Sequence, residues 1–449
     1  MDLKNKKVTV VGLGNSGVNA AILLRGIGAR VWVTDNRDTR DVRNNLKPLK
    51  DRDIKYEIGK HTKDFVTGSS LVVISPGVED TSPPVKWAIE SGIPIISEME
   101  LGYMFCKGKI IAITGTNGKS TVTTLIGRML KDGGFDTVVC GNIGNSICGE
   151  IPRIKNDTWV VLEVSSFQLE RIKSFRPRIA VILNITDDHL DRYKKFDDYS
   201  DEKLKIFANQ SGDDALILNY DAVNLRRLKD MAPSGVLFYS RTEKTNGAYV
   251  KDGEIILTLN GKKKIAGPVK DIPLKGPHNL ENVLASCLAA GLAGAREDSM
   301  MKSIKGFRGL SHRAETVDVI NGVEYVDDSK GTTVDSTCRA LEASCKPVIL
   351  IAGGKDKNSD YTPIRSIVKE KVKHLILIGE AKARIAGALG DIVRTHEAGT
   401  MDDAVRLAGR LAVGDTMVLL SPMCSSFDMF RDYKHRGEAF KEAVKRLKV

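Results

Sequence analysis

The chain has 449 residues, and at roughly 150 residues per domain this length suggests about three domains. Hydrophobic residues make up 42% and charged residues 28% of the sequence, a globular composition that excludes disorder of the whole chain. The net charge of +11 is spread along the sequence without a run of five like charges, which disfavours a nucleic-acid-binding tail and suits small anionic substrates.

Short apolar runs rich in Val and Ile alternate with longer amphipathic stretches along the chain. This alternation is typical of βαβ units and parallel sheets. Two separate Gly-rich turns favour more than one sheet. The predicted strands are 8–11, 31–34, 71–74, 110–113, 159–163, 180–183, 215–218, 348–351, 375–378 and 416–420.

New strand–turn–helix units divide the sequence into three blocks, which we expect to be domains. The first block is 1–107, the second is 108–309 and the third is 310–449. Residues 247–264 alternate short apolar runs with Asp-Gly and Asn-Gly pairs. This pattern predicts hairpins attached to the second block.

The first Gly-rich turn contains Gly12, Gly14 and Gly17 after a predicted strand, and the next strand ends at Asp35. This is the dinucleotide fingerprint, in which glycines let the backbone approach a pyrophosphate at a helix N-terminus. A nucleotide sugar satisfies this geometry as well as NAD does, and a purely structural tight turn remains an alternative. A second turn, at Gly77, also follows a strand at the edge where ligands bind in open α/β sheets.

The second Gly-rich turn places Gly115, Gly118, Lys119 and Ser120 between a strand and a helix. Glycine N–H groups cradle phosphates, the lysine contacts the β/γ-phosphates and the hydroxyl ligates Mg²⁺. The G-x-x-G-K-S spacing is two residues tighter than the usual P-loop pattern. The turn therefore predicts a phosphate site without matching the standard motif, and a structural turn is the weaker alternative.

Acid-rich segments follow two later strands. Glu163 stands at one strand end, and Asp187, Asp188, His189 and Asp191 follow the next. Oxygen ligands suit Mg²⁺, and an imidazole can join a second cation site. The alternative is an ordinary surface loop.

The seven cysteines form no CxxC pair, and their odd number argues against a disulfide framework. The most apolar stretch, 283–295, is too short to cross a bilayer. The N-terminal apolar run leads into the first Gly-rich turn, so it predicts a strand rather than a signal peptide. We therefore expect a cytoplasmic protein without membrane insertion or a nucleic-acid partner.

The segment 115–121, Gly-Thr-Asn-Gly-Lys-Ser-Thr, resembles the tight phosphate loop of the Mur ligase family. The resemblance covers nearly the whole chain. The other segments that carry it are 141–144, 162–170, 189–193, 278–279, 312–313, 328–332 and 420–427. Together these segments are highly specific.

Mur ligases are ATP-dependent, amide-forming enzymes of peptidoglycan precursor synthesis. The resemblance implies an α/β protein with a Rossmann-like N-terminal domain, a central P-loop ATPase-type parallel-sheet domain and a Rossmann-like C-terminal domain. These domains would hold the UDP substrate, ATP and the amino acid. The resemblance is strongest to members that add D-glutamate to UDP-N-acetylmuramoyl-L-alanine. It implies a monomer that uses ATP and two Mg²⁺ ions, for which Mn²⁺ can substitute.

The resemblance also implies roles for individual positions. The implied UDP-substrate contacts are Gly14, Asn15, Ser16, Asp35, Asn36, Arg37, Gly77 and Asn142. The implied ATP contacts are Gly115, Thr116, Asn117, Gly118, Lys119, Ser120, Thr121, Asn279, Asn282, Arg313 and Asp328. The implied amino-acid contacts are Lys330, Thr332, Lys357, Ser426, Phe427 and Tyr433. The implied metal ligands are Ser120, Glu163, His189 and Lys203. The implied catalytic residues are Lys119, His189, Lys203 and Arg313.

Lys203 falls where the family carries a carbamylated lysine, which would turn a cation into an anion able to bind Mg²⁺. Without the resemblance, a solvated helix lysine would be the ordinary interpretation. Asn279 and Asn282 would likewise be interpreted as a helix N-cap and a polar helix face.

The sequence departs from the family pattern at a few positions. Tyr433 stands where Phe is expected, Ser425 where Ala is usual and Asn36 where a hydroxyl residue is common. Asn358 and Ser359 replace a Gly-rich continuation. These departures concern mainly the expected amino-acid pocket.

Three alternative functions remain open from the sequence. The first is a sibling Mur ligase or a folylpolyglutamate-type ligase that adds another amino acid. The second is an NAD(P)-dependent oxidoreductase that uses the first Gly-rich turn. The third is a non-catalytic ATP-binding sensor.

Overall fold

The computed structural model describes residues 2–186, 193, 195–259, 261–274 and 276–448. The chain forms two compact units. The first unit comprises Met1–Ile185, Tyr199–Val269 and Asn282–Ile304, and the second comprises Thr186–Asp198, Lys270–Glu281 and Lys305–Val449. The first unit contains two β-sheets and the second contains one.

The N-terminal sheet has five parallel strands in the order β3-β2-β1-β4-β5. Its strands are β1 (Lys7–Val11), β2 (Arg30–Asp35), β3 (Lys55–Ile58), β4 (Leu71–Ile74) and β5 (Ile95–Ser97). Its helices are α1 (Asn15–Gly26), α2 (Arg40–Asn44), α3 (Lys47–Lys50), α4 (Lys63–Val66), α5 (Pro83–Glu90) and α6 (Glu98–Phe105). The strand order reverses between β1 and β4, and ligands bind outside such a switch point in open α/β sheets. The turns at Gly12–Gly17 and at Gly77 follow these two strands.

The central sheet has nine strands in the order β14-β13-β12-β11-β10-β9-β6-β8-β7. Its strands are β6 (Lys109–Thr114), β7 (Thr137–Gly141), β8 (Trp159–Glu163), β9 (Ile179–Ile182), β10 (Ala215–Asn219), β11 (Gly235–Ser240), β12 (Ala248–Lys251), β13 (Glu254–Leu259) and β14 (Lys262–Pro268). The helices in this part of the chain are α7 (Lys119–Asp132), α8 (Ile147–Glu150), α9 (Ser166–Leu169), α10 (Phe196–Leu204), α11 (Val223–Arg226), α12 (Pro277–Leu292) and α13 (Glu297–Lys305). Strands β12, β13 and β14 pair antiparallel, which confirms the hairpins predicted for residues 247–264.

The C-terminal sheet has six strands in the order β15-β16-β20-β17-β18-β19. Its strands are β15 (Glu315–Ile320), β16 (Val323–Asp327), β17 (Val348–Gly353), β18 (Val372–Ile378), β19 (Arg394–Glu397) and β20 (Met417–Leu420). Its helices are α14 (Val334–Ala343), α15 (Arg365–Lys371), α16 (Lys382–Leu389), α17 (Met401–Leu411) and α18 (Tyr433–Arg446). Only β15 pairs antiparallel within it. Apolar side chains from β17, β18 and β20 enter a separate core on each face of the sheet, as expected for a doubly covered parallel sheet.

The expected α/β fold of mainly parallel sheets is therefore confirmed, and each of the ten predicted strands overlaps an observed strand. Short 3₁₀ helices occur at Ile151–Arg153, Lys205–Phe207, Arg227–Asp230, Val269–Asp271 and Thr362–Ile364. Among the described residues, no helix combines the length and the apolar character needed to cross a membrane.

Candidate active site

The turn after β1 needs glycine at two positions, at one for its backbone conformation and at the other for close packing. Gly12 has φ of 99°, a backbone conformation that favours glycine. A Cβ atom on Gly17 would lie 1.9 Å from the carbonyl oxygen of Gly12, so no larger residue fits there. Gly14 precedes α1, and a Cβ atom there would have no neighbour within 4 Å. Gly14 is therefore the glycine of this turn whose backbone faces open space.

The acid at the end of β2 organises the same turn. The buried Asp35 carboxylate accepts hydrogen bonds from the backbone N–H of Leu13 at 2.7 Å and of Arg37 at 2.9 Å. The Arg37 guanidinium donates two more, at 3.0 and 2.9 Å. Burial raises the pKa of Asp35, but the hydrogen bonds from Arg37 and Leu13 outweigh it, so the pKa is lowered. The group that this turn presents outward is Arg37, whose side chain is 60% exposed.

The second Gly-rich turn connects β6 to α7. Gly115 and Gly118 have φ of 148° and 85°. A Cβ atom on Gly118 would lie 2.4 Å from Oδ1 of Asn282. Asn282, an implied adenine contact, thus packs against the loop. Lys119 and the buried Ser120 begin the helix, where backbone N–H groups favour a bound phosphate.

Asn184, which follows β9, holds this loop in shape. Its Oδ1 accepts the N–H of Asn117 at 2.8 Å, and its Nδ2 donates to the carbonyl of Asn117 at 3.1 Å. Its own carbonyl accepts the N–H of Thr116 at 2.9 Å. The sequence assigned Asn184 no role, although its place at the end of a buried strand was a usable signal.

Two lysine ammonium groups converge on the carbonyl of Gly115. Lys119 Nζ donates to it at 2.7 Å and to the carbonyl of Thr116 at 2.8 Å. Lys203 is buried, and its Nζ donates to the Gly115 carbonyl at 3.2 Å and lies 4.5 Å from the ring centroid of Tyr199. With both side chains as ammonium groups, positive charge is concentrated beside the loop, which suits a polyphosphate; carbamylation of Lys203 would remove its share of that charge.

A carboxylate with an unsatisfied oxygen stands at the end of β8. Asn142 Nδ2 donates to Oε1 of Glu163 at 2.9 Å. Oε2 of Glu163 is buried and has no hydrogen-bond partner among the described residues. A buried unpaired carboxylate oxygen costs free energy, and a divalent cation would satisfy it. The carboxylate of Glu163 therefore fits a ligand of a divalent cation, and Ser120 is the other ligand that the resemblance implies in the described residues near this loop. The second-metal residue predicted from sequence, His189, lies outside the described residues.

In the second unit, a strained turn carries Arg313. His312 and Ala314, on either side of it, have φ of 64° and 45°, a conformation unfavourable for residues other than glycine. The buried His312 ring is fixed by a 2.7 Å hydrogen bond between Nδ1 and Oδ2 of Asp327. This ring therefore helps to hold the turn that presents Arg313.

Asp328 lies beside that turn. Its Oδ2 accepts from Ser421 Oγ at 2.7 Å, and its Oδ1 accepts from the N–H of Ala314 at 3.2 Å. Burial raises the pKa of Asp328 to about 7. The carboxyl group implied to contact the ATP ribose is thus buried and binds protons near neutral pH.

Arg436 of α18 connects the two segments that contain most of the implied amino-acid contacts. Its buried guanidinium makes five hydrogen bonds, to the carbonyl and hydroxyl of Ser329 and to the carbonyls of Cys424 and Ser425. Burial lowers the pKa of Arg436 to about 10, so the group stays charged at neutral pH. The sequence prediction missed Arg436 entirely.

The implied amino-acid contacts are brought partly together. Lys330 Nζ lies 4.9 Å from the ring centroid of Tyr433, and the Tyr433 carbonyl accepts a 2.8 Å hydrogen bond from Ser329 Oγ. Asn358, where the family pattern has glycine, has φ of 57°, a conformation that Asn tolerates better than most residues. The substitution therefore preserves the backbone shape expected of glycine.

The implied site residues divide between the two units. Those of the first unit are Gly14, Asn15, Ser16, Asp35, Asn36, Arg37, Gly77, Gly115–Thr121, Asn142, Glu163, Lys203 and Asn282. Those of the second unit are Asn279, Arg313, Asp328, Lys330, Thr332, Lys357, Ser426, Phe427 and Tyr433.

Comparison with protein families gives three matches along the chain. The Mur ligase MurD-like N-terminal domain matches residues 6–97, the Mur ligase middle domain matches 113–290, and the Mur ligase glutamate ligase domain matches 312–424.

Curated relatives match over almost their whole length. The UDP-N-acetylmuramoylalanine–D-glutamate ligase of Geotalea daltonii is 44% identical and covers 100% of this chain and 99% of the relative. The ligase of the same name from a Geobacter species is 45% identical, with coverage of 99% and 98%. That of a Thermoanaerobacter species is 42% identical, with coverage of 100% of both chains.

Solved structures show the same three-domain fold at low sequence identity. UDP-N-acetylmuramate–alanine ligase MurC from Thermotoga maritima aligns with a TM-score of 0.62 at 18% identity, covering 98% of this chain and 100% of that one. MurF ligase from Thermotoga maritima in complex with ADP aligns with a TM-score of 0.62 at 13% identity, and the alignment covers 100% of both chains.

Proposed function

The chain belongs to the Mur ligase family, and from this membership we propose that it joins D-glutamate to UDP-N-acetylmuramoyl-L-alanine at the expense of ATP, in peptidoglycan precursor synthesis. The observation that carries the proposal is the 44% identity over 100% of the chain to a curated D-glutamate ligase. The phosphate loop, the unsatisfied Glu163 oxygen and the Arg436-linked segments support it independently.

We propose that each sheet domain binds one substrate. Residues 1–107 hold the UDP substrate, for which the exposed Arg37 offers a cation to the diphosphate. Residues 108–309 hold ATP on the loop from Gly115 to Thr121. Residues 310–449 hold D-glutamate through Lys330, with the other implied contacts around it. Arg313 and Asp328 serve the γ-phosphate and the ribose of ATP.

The proposed reaction has two chemical steps. The carboxylate of the UDP substrate attacks the γ-phosphorus of ATP, the bond to the β-phosphate oxygen breaks, and ADP leaves from the resulting acyl phosphate. The D-glutamate amine then attacks the acyl carbon, loses a proton and expels phosphate. Lys119 and Arg313 offset the negative charge on the transferring phosphoryl group. The main work of the protein is to position the reactants and to keep water from the acyl phosphate.

Family members use Mg²⁺, and the residues here fit it. We propose Ser120 and Glu163 as ligands of one ion and His189 with a carbamylated Lys203 as ligands of a second, with Mn²⁺ able to substitute. The ions would screen the phosphate charges. Lys203 is buried beside the phosphate loop, and a carbamate there would be neutralised by Mg²⁺ rather than left as an unpaired buried anion.

We also propose that the enzyme acts as a monomer in the cytoplasm, without a nucleic-acid partner. Every cysteine is a free thiol, as is usual in a reducing compartment.

The structure weighs against the oxidoreductase alternative. In a dinucleotide site the acid at the end of β2 contacts a ribose hydroxyl, whereas here Asp35 already accepts four hydrogen bonds from Leu13 and Arg37. An activity assay separates the proposed enzyme from a sibling ligase and from a sensor.

The test is phosphate release with UDP-N-acetylmuramoyl-L-alanine, ATP and a panel of D- and L-amino acids. We expect release and an amide product with D-glutamate alone. Turnover with another amino acid instead would identify a sibling ligase. ATP binding without release for any acceptor would identify a sensor.

A further inference from the structure

A cleft of about 450 Å³ opens on the first unit, away from the phosphate loop. Lys109 at its wall begins β6, whereas the phosphate loop follows the end of β6. Arg178 and Asp214 immediately precede β9 and β10 and line the same cleft. The six-residue β6 separates the two ends of the sheet by about 20 Å at roughly 3.3 Å per residue. The cleft is therefore distinct from the proposed ATP site.

The cleft carries more positive than negative charge. Arg176 Nε donates to Oδ2 of the buried Asp214 at 2.6 Å, and Arg178 Nη1 reaches Oδ1 at 3.4 Å. Lys109 contacts no carboxylate among the described residues, and its Nζ lies 5.6 Å from the ring centroid of Trp159. Two of the three cations at this wall, Arg176 and Arg178, thus share one carboxylate, and Lys109 adds a third positive charge.

The carboxylate of Asp214 already accepts hydrogen bonds from neighbouring groups of the protein. Oδ2 of Asp214 accepts the N–H of Ser211 at 2.9 Å in addition to the bond from Arg176. The arginine side chains remain accessible, with Arg176 42% and Arg178 51% exposed. Asp214 therefore orients both guanidinium groups and leaves donor N–H groups of each available to a ligand.

The hydroxyl group of Tyr103 adds a further hydrogen-bond donor to the cleft. Tyr103 of α6 lines the cleft, and its ring packs edge-on against Phe175 with the centroids 5.5 Å apart. Its hydroxyl makes no hydrogen bond to any described residue. Because α6 belongs to the N-terminal sheet domain and the arginines belong to the central domain, a molecule in the cleft would contact both domains.

We propose that this cleft binds a small molecule that bears a phosphate group. Guanidinium forks bind phosphate oxygens in pairs, and cations in a concave surface reinforce each other's field. The cleft volume falls in the range of small-molecule sites. Such a ligand neutralises the excess charge and connects two domains, so it would stabilise the folded chain.

The test uses D-ribose 5-phosphate as the probe and isothermal titration calorimetry on the full chain. All proteins carry Lys119→Ala, which weakens the phosphate loop as a competing site. The test variant adds Lys109→Gln and Arg178→Gln. The matched control adds Arg153→Gln and Lys155→Gln, which remove the same charges from exposed positions. Arg176 is left intact because it holds Asp214.

We expect the probe to bind the Lys119→Ala chain and the control equally, and the test variant at least about tenfold more weakly. Tyr103→Phe, which removes only a hydroxyl, should weaken binding severalfold without unfolding the chain. Equal affinity for the test variant and the control would overturn the proposal, as would absence of binding to the Lys119→Ala chain. Succinate binding as tightly as the phosphate probe would overturn the assignment of phosphate.

Discussion

Asn142 holds Glu163 through both its side chain and its backbone. Asn142 Nδ2 donates to Oε1 of Glu163 at 2.9 Å, and its N–H donates to the Glu163 carbonyl at 2.9 Å. The carboxylate is thereby fixed with Oε2 buried and unpaired among the described residues. Asn142, which the sequence assigned to the UDP substrate, is thus also a positioning group for a metal ligand.

Glu163→Gln is expected to lower kcat more than a hundredfold, because the amide cannot supply an anionic oxygen to Mg²⁺. Asn142→Ala should cost roughly 10- to 100-fold and should regain activity as Mg²⁺ is raised. Phosphate release measured against Mg²⁺ concentration checks both variants. The exposed Glu243→Gln is the control and should leave the Mg²⁺ dependence unchanged. An Asn142→Ala defect seen only in KM for the UDP substrate would contradict the positioning role.

Lys203→Ala is expected to be nearly inactive, because the proposed carbamate supplies a metal ligand. Acetate, a short carboxylate, should restore part of the activity by occupying the space left by the side chain. The control is Lys205→Ala, two positions along the chain, whose ammonium pairs with Glu202 at 2.7 Å. It should keep full activity with or without acetate. Undiminished activity of Lys203→Ala in the absence of acetate would reject the proposal.

The strands predicted from the sequence are mostly runs of four or more residues that are buried on both faces, and the fully buried β5, with only three residues, is not among them. β4, Leu-Val-Val-Ile, is buried at every position, so its sequence is a continuous apolar run. β19, Arg-Thr-His-Glu, lies at an edge of its sheet with partly exposed residues, and a single Thr among three charged or polar residues is too weak a signal to predict a strand. These residues form a strand because they pair with β18, a contact between segments that are distant in the sequence.

Site residues could likewise be predicted from the sequence only where the local pattern determines their position. Glu163 could be predicted because acids at the ends of buried parallel strands meet at one sheet edge. Arg436 could not, because its burial depends on Ser329, which is 107 positions away. An arginine in the polar stretch 433–438 looks like a solvated helix residue from sequence alone.

Lys119→Ala is expected to reduce phosphate release by roughly a thousandfold while the chain stays folded. Its ammonium donates hydrogen bonds to carbonyls of its own loop, those of Gly115 and Thr116, and the side chain is only partly buried, so we expect its loss to open no cavity in the core. Activity and melting temperature should be measured together. Lys131→Ala, at an exposed position of the same helix α7, should match the unaltered chain in both. ADP and amide formed at the normal rate by Lys119→Ala would refute the assigned role.

Arg436→Gln is expected to lower the melting temperature by roughly 5 °C or more, because several buried carbonyls lose their donors. It should also raise KM for D-glutamate more than it lowers kcat, since Ser329 and Ser425 adjoin implied amino-acid contacts. The control is Arg446→Gln on the same helix, which removes an exposed pair with Asp402. A stability loss with unchanged KM would restrict Arg436 to a structural role.

The last prediction concerns pH and two groups of the second unit, the buried Asp328 and the partly buried His278. Burial raises the pKa of Asp328 from 3.8 to about 7, so between these values the folded chain keeps a proton that the unfolded chain has lost. This term lowers stability as the pH rises through that window. Burial lowers the pKa of His278 from 6.5 to about 4. Between these two pH values the unfolded chain holds a proton on His278 that the folded chain has lost, so the contribution of His278 to stability rises as the pH rises.

The contributions of Asp328 and His278 to stability oppose each other between pH of about 4 and 6.5, and Asp328→Asn removes only the contribution of Asp328. The melting temperature of this variant, measured relative to the unaltered chain, should therefore rise steadily from pH of about 4.5 to 7. The control is Asp415→Asn, whose side chain is exposed, and its curve should run parallel to that of the unaltered chain. Parallel curves for Asp328→Asn as well would show that the carboxyl group of Asp328 ionises at the same pH in the folded and unfolded chains.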